Sequence, residues 1–595
     1  MKPFHHSINS AQIRLLAILL VIACAAVFVV HRPVLSAQAN SFDDDEYLLD
    51  NNLVQNPGLD SAWRFLSEVR KPSTVEGYYQ PLAMISLMLD YAMGGSPDNL
   101  TIFHLTSLCL HAANTALIIV FLYMLFGNLW PAFFVGLLFG LHPMTVEPIP
   151  WISERKTLLA SFFALWCLVL YVVYVRKPGW KLFVGVMLAY VLALMSKPTV
   201  TFLPVLLVIL DFWPLSRLNK KTLAEKLPLL AIMIIFAFIT FASQKNAAGV
   251  LMPGDTGHGR VILIICHNVI FYLYKIFWPV NLTYYPYPSP LSISNLFILT
   301  SVIGACILLA ALILSLRWTR AFLAGWLFFF IAIFPTMGII GFTNVIASDK
   351  YAYFPAVGFL MVLAWLMALL WGYTGRFIAY RALAVIVILF LLCAESFATH
   401  EQLLRWRTTE TLYKYYLSLS PNAPSLHYNY GFYLYNNGRY DEAIKQFSEQ
   451  LRLSHKRDEK VLNVMGIIYY RQGKIEQAVG AWQKVLDVKP DFPDALNNLA
   501  WIKATNEDAR FHNSDEAITL SLRACKLMTK KQTKADFLDT LAAAYASAGK
   551  FPDAVETART ALNLAQSAGK KDMVQRIQDH LDLYLAGKPF LENHP

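Results

Sequence analysis

The sequence predicts an all-α protein: a polytopic membrane helix bundle followed by a C-terminal α-solenoid. Three observations predict it. The mean hydropathy is +0.45 and 56% of the 595 residues are hydrophobic, too apolar for an ordinary soluble chain. Charge density then changes abruptly, because residues 1–400 carry 24 Lys and Arg with 17 Asp and Glu, whereas residues 401–595 carry 26 and 23. Last, the charged part repeats small and aromatic residues at a spacing of about 34.

These features exclude a wholly soluble enzyme, a disordered chain and a secreted disulfide scaffold. The seven cysteines show no CxxC or metal-ligand spacing and read as packing residues. The net charge of +10 suits positive-inside loops rather than nucleic acid, since no basic helix or aromatic-basic stripe lies outside the membrane pattern.

Apolar runs long enough for a hydrocarbon core of about 30 Å fall near 13–30, 101–126, 130–147, 157–175, 180–195, 199–213, 227–243, 260–278, 293–316, 321–341, 352–371 and 377–397. The first reads as an uncleaved span rather than a signal peptide, because its apolar core is long and many spans follow. With the N-terminus cytoplasmic, Arg176/Lys177/Lys181 and Arg217/Lys220/Lys221/Lys226 fall inside. For Arg317/Arg320 and Arg376/Arg381 to fall inside as well, 260–278 must be re-entrant or interfacial, which leaves about 11 crossings and an extracytoplasmic C-terminal third.

The expected organisation is a membrane domain over 1–398 with a first outer loop over 31–100, a linker helix over 399–423, and repeats over 424–595. The repeat residues are Gly431, Tyr440, Ala443 and Phe447, then Gly466, Tyr469, Gly473, Ala478, Trp482 and Pro490. This is the tetratricopeptide period. A third unit near Pro493 is stretched by about five residues before Ala517, and a fourth runs from Leu541 to Ala561. Gly438, Gly473 and Gly549 mark the turns between paired helices. Four units bury a continuous core and present a groove suited to a peptide or protein.

Polar residues cluster toward one membrane face. Asp43, Asp44, Asp45 and Glu46 follow the first span, and crowded carboxylates raise one another's pKa or recruit a cation. The run reads as a general base or a metal site, or as a solvated loop or helix cap. Further outer-side residues are Tyr79, Gln80, His142, Glu147, Arg155, Lys156, Lys197, Asp349, Lys350 and Tyr351. Outer-face cations run against the positive-inside bias and call for an anionic partner, a lipid phosphate foremost. His104, His111 and Asn114 share one helix face, and without a third ligand the spacing argues for interhelical hydrogen bonds over a metal.

The ordered set FDDDEYLLDN (42–51), YYQPL (78–82), the His104/His111/Asn114 face, LHPMTVEPIPWISERK (141–156), SKP (196–198), FWPVNLTYYPYP (277–288) and SDKYAYFP (348–355), followed by the repeats, resembles a known family. It is similar to the transmembrane and tetratricopeptide repeat-containing protein O-mannosyltransferases and their bacterial relatives, in the GT-C superfamily. The resemblance implies a GT-C-like bundle that transfers a sugar from a polyprenyl-phosphate-sugar to a hydroxyl, Ser or Thr of an extracytoplasmic protein, with inversion. It places the catalytic acids at Asp43 and Asp44. Asp45 and Glu46 depart from the family by adding acidity, and Gln80 stands where an aromatic or basic residue is usual.

Chemically, a carboxylate at Asp43 or Asp44 would take the acceptor's proton, while Arg155, Lys156, Lys197 and Lys350 would neutralise the leaving phosphate. Asp45, Glu46, Tyr79, Gln80, His104, His111, His142, Glu147, Asp349 and Tyr351 would support the site. The residues fix no cofactor; if a metal is used, the oxygen ligands of Asp43 and Asp44 favour Mg²⁺ or Mn²⁺. The implied partners are the lipid-linked sugar, an acceptor protein held by the repeats, and the bilayer, the inner membrane in a bacterium. The competing reading is a non-enzymatic membrane-anchored repeat scaffold for envelope or export assembly.

Overall fold

Long runs of Leu, Ile, Val and Phe leave the backbone few ways to satisfy its polar groups without water, and the α-helix closes every bond within the segment. In the computed structural model each of the twelve apolar runs contains a helix: Ser10–His31, Thr101–Phe126, Leu129–Leu141, Arg155–Arg176, Trp180–Ser196, Leu203–Phe212, Leu227–Gln244, His258–Phe277, Leu296–Ser315, Ala321–Ile333, Val357–Tyr373 and Ile378–Leu404. The structure describes residues 10–38, 43–69, 75, 79–244, 258–282, 284–285, 295–337, 347–373, 378–454, 457–528 and 531–592. Among them the protein is all-α apart from a two-residue antiparallel ladder pairing Tyr284–Tyr285 with Ala347–Ser348. Positions 283 and 286–288 of the 277–288 motif lie outside the described residues.

The chain forms two units, Met1–Ser420 and Pro421–Pro595. In the first, six helical stretches among the described residues are long and apolar enough to cross a bilayer, and several more are apolar but shorter. It is a membrane protein. Leu227–Gln244, Leu296–Ser315 and Ile378–Leu404 turn large side chains such as Phe238, Ile307 and Phe390 outward, as helices facing lipid do. Thr101–Phe126 and Arg155–Arg176 are instead mostly buried, packed with Trp180–Ser196 and Leu203–Phe212 around Phe121, Leu165, Leu168 and Leu207. Gly325 and Gly358 let Ala321–Ile333 and Val357–Tyr373 pack backbone to backbone: a Cβ on Gly358 would sit 2.4 Å from the Gly325 carbonyl oxygen.

Two departures from the apolar pattern shape the site. The run 130–147 stops as a helix at Leu141, and Pro143–Thr145 and Ile152–Glu154 become short 3-10 turns, because prolines at 143, 148 and 150 remove donors and block the preceding turn. The stretch after the first span folds into the short helices Asn52–Gln55, Leu59–Ser67 and Pro81–Ala92 and a π-turn Asp45–Leu49. They share a small core of Tyr47, Leu48, Val54, Phe65, Met84 and Leu87 that reaches Phe103 and Ile152.

The second unit is a run of helix pairs: Pro424–Asn436 with Tyr440–Ser454, Glu459–Arg471 with Ile475–Val488, Pro493–Thr505 with Ser514–Leu527, and Lys531–Ser547 with Phe551–Ser567, followed by Lys571–Leu585. The turn glycine Gly473 takes φ +71°, the left-handed region where a Cβ is strained. The third pair lacks such a glycine, and its extra length is the loop 506–513. Alanines at 478, 542, 554, 558 and 561 are buried between helices, and Trp482 fills the space that Gly466 leaves.

Candidate active site

Asp44, Tyr47, Gln80, Glu147, Lys156, Lys197 and Lys350 are scattered over some 300 positions, yet hydrogen bonds link the loops that carry them. Asp44 is buried at the residue before the π-turn, and its Oδ1 accepts from the Ser153 backbone N–H at 2.8 Å. Asp43, half exposed, lies 3.8 Å from the Lys156 ammonium. Tyr47 points inward, where its hydroxyl receives Lys156 Nζ at 2.9 Å and the Gln80 amide. Burial pushes the Tyr47 phenol up to about 12 against the pull of Lys156, so it remains a neutral partner.

Glu154 is the centre of the arrangement. It is buried, and Lys197 Nζ and Lys350 Nζ each lie 3.0 Å from its carboxylate, on different oxygens, with Lys156 Nζ at 3.7 Å and the Thr157 hydroxyl donating as well. Three ammonium groups thus share one carboxylate, with Asp43 near Lys156 and Glu147 near Lys350 as further counter-charges. Lys350 also sits over the Trp151 ring at 3.4 Å, a cation–π contact that holds it without neutralising it. Burial alone would lower Lys350, but Glu154 and Glu147 leave it raised above the usual lysine range. Lys197 goes the other way: burial, offset in part by Glu154 and reinforced by Lys156 and Lys350, lowers it to about 8.

Glu147 supports the opposite side. Its carboxylate accepts from the Lys350 backbone N–H at 3.1 Å and from the Ser348 hydroxyl at 3.3 Å. Burial raises its pKa, and Lys350 works against that rise. Lys197, Lys350, Tyr351, Thr157 and Ser161 line a small cleft of about 30 Å³, room for roughly one water.

Arg155 does not join this cluster, which corrects its expected place among the phosphate-binding cations. It is fully buried and committed elsewhere: Nη2 to Asp90 at 2.7 Å and the Phe103 carbonyl at 2.6 Å, Nη1 to the Ser86 hydroxyl at 2.8 Å, and Nε to the Ser107 hydroxyl at 3.1 Å. Adjacent residues on a helix diverge by about 100°, so Arg155 and Lys156 serve different neighbourhoods. The same geometry separates the acids: Asp44 turns in, while Asp45 and Glu46 are exposed on the other side of the turn.

The remaining expected residues hold the surrounding frame. His104 bonds the Ala37 carbonyl at 3.1 Å. His111 meets the Tyr353 hydroxyl at 2.7 Å and the Gly140 carbonyl at 3.0 Å, and Asn114 donates to the same hydroxyl at 3.2 Å. His142 bonds the Ile276 carbonyl and accepts from the Met144 N–H, closing the turn after Leu141. Tyr79 donates to the Leu66 carbonyl. Asp349 is buried in the turn that presents Lys350, and the Tyr351 ring lies 5.9 Å from Lys197 and 5.8 Å from Lys350.

Asp43 and Asp44 diverge rather than forming a chelate, and among the described residues no group of three or more His, Cys, Asp or Glu is arranged to hold a metal ion. Two carboxylates alone would leave most of the coordination sphere of a Mg²⁺ or Mn²⁺ ion to water or substrate oxygens. What the arrangement does is gather three lysines on one carboxylate beside the half-exposed carboxylate of Asp43.

A protein O-mannosyl-transferase of Caenorhabditis elegans, F38B6.6, is 23% identical over 427 residues, 69% of this chain and 59% of that protein. TMTC1 of Homo sapiens, also named a protein O-mannosyl-transferase, is 23% identical over 492 residues, 73% of this chain and 55% of its own. The chain is a relative of the TMTC O-mannosyl-transferases. A third of them, TMTC2 of Mus musculus, is 29% identical over 171 residues, 27% of this chain and 20% of its own. The chain spans little more than half the length of the relatives it matches most fully. A TPR repeat model matches residues 466–504 and a tetratricopeptide repeat model 412–445. The crystal structure of the APC/C hetero-tetramer Cut9-Hcn1 aligns over 85% of both chains at TM-score 0.25 and 14% identity, too low to bear on the fold.

Proposed function

We propose that the protein is an integral-membrane glycosyltransferase of the GT-C type that moves a sugar from a polyprenyl-phosphate carrier to a Ser or Thr hydroxyl of an extracytoplasmic protein, with inversion. The observation that carries this reading is the convergence of Lys156, Lys197 and Lys350 on buried Glu154, one residue from the amide that fixes Asp44. The names of the relatives support the reaction class.

In this reading Asp43, the half-exposed acid, takes the acceptor's proton, and Asp44 positions it. The acceptor oxygen forms its bond to the anomeric carbon as the carbon–oxygen bond to phosphate breaks. The phosphate leaves as an anion with both electrons, and the three lysines stabilise its charge. Glu154 keeps them converged before the donor arrives, so the field costs no reorganisation during the step.

The test uses the full-length protein in detergent with a panel of labelled polyprenyl-phosphate-sugars, mannose first, and Ser/Thr peptides as acceptors. Wild type is expected to move label to peptide, and Asp43→Asn to lower kcat by about 10² to 10⁴. No donor consumption by well-folded wild type across the panel would leave the repeat scaffold as the better reading.

A pH dependence follows from Lys197. Its ammonium, flanked by Glu154, Lys156, Lys350, Thr157 and Tyr351, loses its proton as pH rises through about 8, so a bound anion loses one of three cations. The KM for donor is expected to climb above pH 8 in wild type and to lose that limb in Lys197→Arg, which stays charged. A flat profile up to pH 9.5 in both proteins contradicts the assignment.

A further inference from the structure

In the second unit, residues 586–592 leave the last described helix and return across the first helices of the second and third pairs. Gly587 turns the chain at φ +68°, Ala586 to Pro589 are exposed, and two side chains then anchor the segment. The Phe590 ring lies 4.3 Å from the His580 ring and 5.8 Å from Trp501. Glu592 Oε2 accepts from Trp501 Nε1 at 2.6 Å and from the Tyr470 hydroxyl. Its backbone N–H donates to the Thr505 carbonyl at 2.8 Å, and a parallel bridge pairs it with Asn506.

These contacts read as peptide recognition rather than core packing. An aromatic slot, two uncharged donors aimed at one carboxylate and a main-chain edge are the parts with which a groove reads an extended peptide. Leu591, between the anchors, is 44% exposed, so the segment is held at alternate positions. A cleft of about 520 Å³, lined by Lys474, Glu476, Asn506, Arg510 and Phe511, opens beside Glu592 and continues the groove.

We propose that this groove is a docking site for an extended peptide bearing an aromatic residue two positions before a carboxylate, and that Phe590–Glu592 occupies it in place of that partner. The segment acts as a built-in competitor: the partner binds only when it lifts, and apparent affinity scales with the fraction of time it is lifted.

Fluorescence anisotropy on the full-length protein in detergent tests this, with a labelled peptide Ala-Gly-Lys-Pro-Phe-Leu-Glu as probe. The double variant Phe590→Ala/Glu592→Ala is expected to bind it about tenfold more tightly than wild type, as for a groove open about one-tenth of the time. A peptide with Ala at both anchor positions should not bind, and adding Trp501→Ala to the double variant should abolish binding. Glu592→Gln, which alters only the charge, should fall between wild type and the double variant and serves if the double variant loses helix content by circular dichroism. Equal binding by wild type and folded variants, or binding that ignores the two anchor residues, overturns the proposal and leaves the segment a permanent cap.

Discussion

Glu154→Gln is expected to lower the stability of the membrane unit by about 3 to 5 kcal/mol, the cost of removing one partner from a buried ion cluster. The carboxylate sits 3.0 Å from both Lys197 and Lys350, and an amide of the same shape removes the counter-charge that the three ammonium groups share, leaving only Asp43 near Lys156 and Glu147 near Lys350. The readout is the apparent Tm in detergent, and the variant should melt well below wild type. Excess inorganic pyrophosphate should restore part of the loss by supplying the missing negative charge, whereas wild type should gain less. An unchanged Tm would mean that the lysines are solvated and that Glu154 is not their organising group.

Arg155→Ala is the second large effect, and it separates two roles for one residue. Every nitrogen of the guanidinium has a partner, chiefly Asp90 at 2.7 Å, so truncation leaves a buried carboxylate unpaired at about 3 to 5 kcal/mol. Asp90→Ala should cost a similar amount. The double variant Arg155→Met/Asp90→Leu should recover much of it, because no charge is then left buried alone. If that variant transfers sugar with the donor KM of wild type, Arg155 is a structural strut. A donor KM raised about a hundredfold in a stable double variant would return Arg155 to the phosphate.

Much of the architecture was legible because it rests on local pattern. Twelve apolar runs became twelve helices, and Gly438, Gly473 and Gly549 turned where the 34-residue period put them. The gathering of the Asp44, Gln80, Glu147, Lys197 and Lys350 loops was also anticipated, from topology and the family resemblance. The centre was not. Glu154 reads in sequence as one more acid beside a basic pair, and what distinguishes it, two lysines 43 and 196 positions away, is invisible to spacing. Arg155 and Lys156 looked like one feature because adjacency in sequence hides the rotation of a helix. Asp43 to Glu46 looked like one acidic patch for the same reason. Tyr47, Ser153 and Thr157 were missed as contributors since each meets a partner far along the chain: Tyr47 meets Lys156 and Gln80, Ser153 meets Asp44, and Thr157 meets Lys197. The signal that could have found Glu154 was its place at a helix start among Pro-broken turns, where a buried acid needs cationic company.

Asp44 and Glu147 both spend a buried carboxylate on a main-chain amide, that of Ser153 in one case and of Lys350 in the other. Such ties are indifferent to the side chain carried at the amide's own position, with proline the exception. The loops can therefore drift in what they display while keeping their register, which makes this pocket easy to retune: over evolutionary time its lining positions can change without first rebuilding the scaffold that aims them.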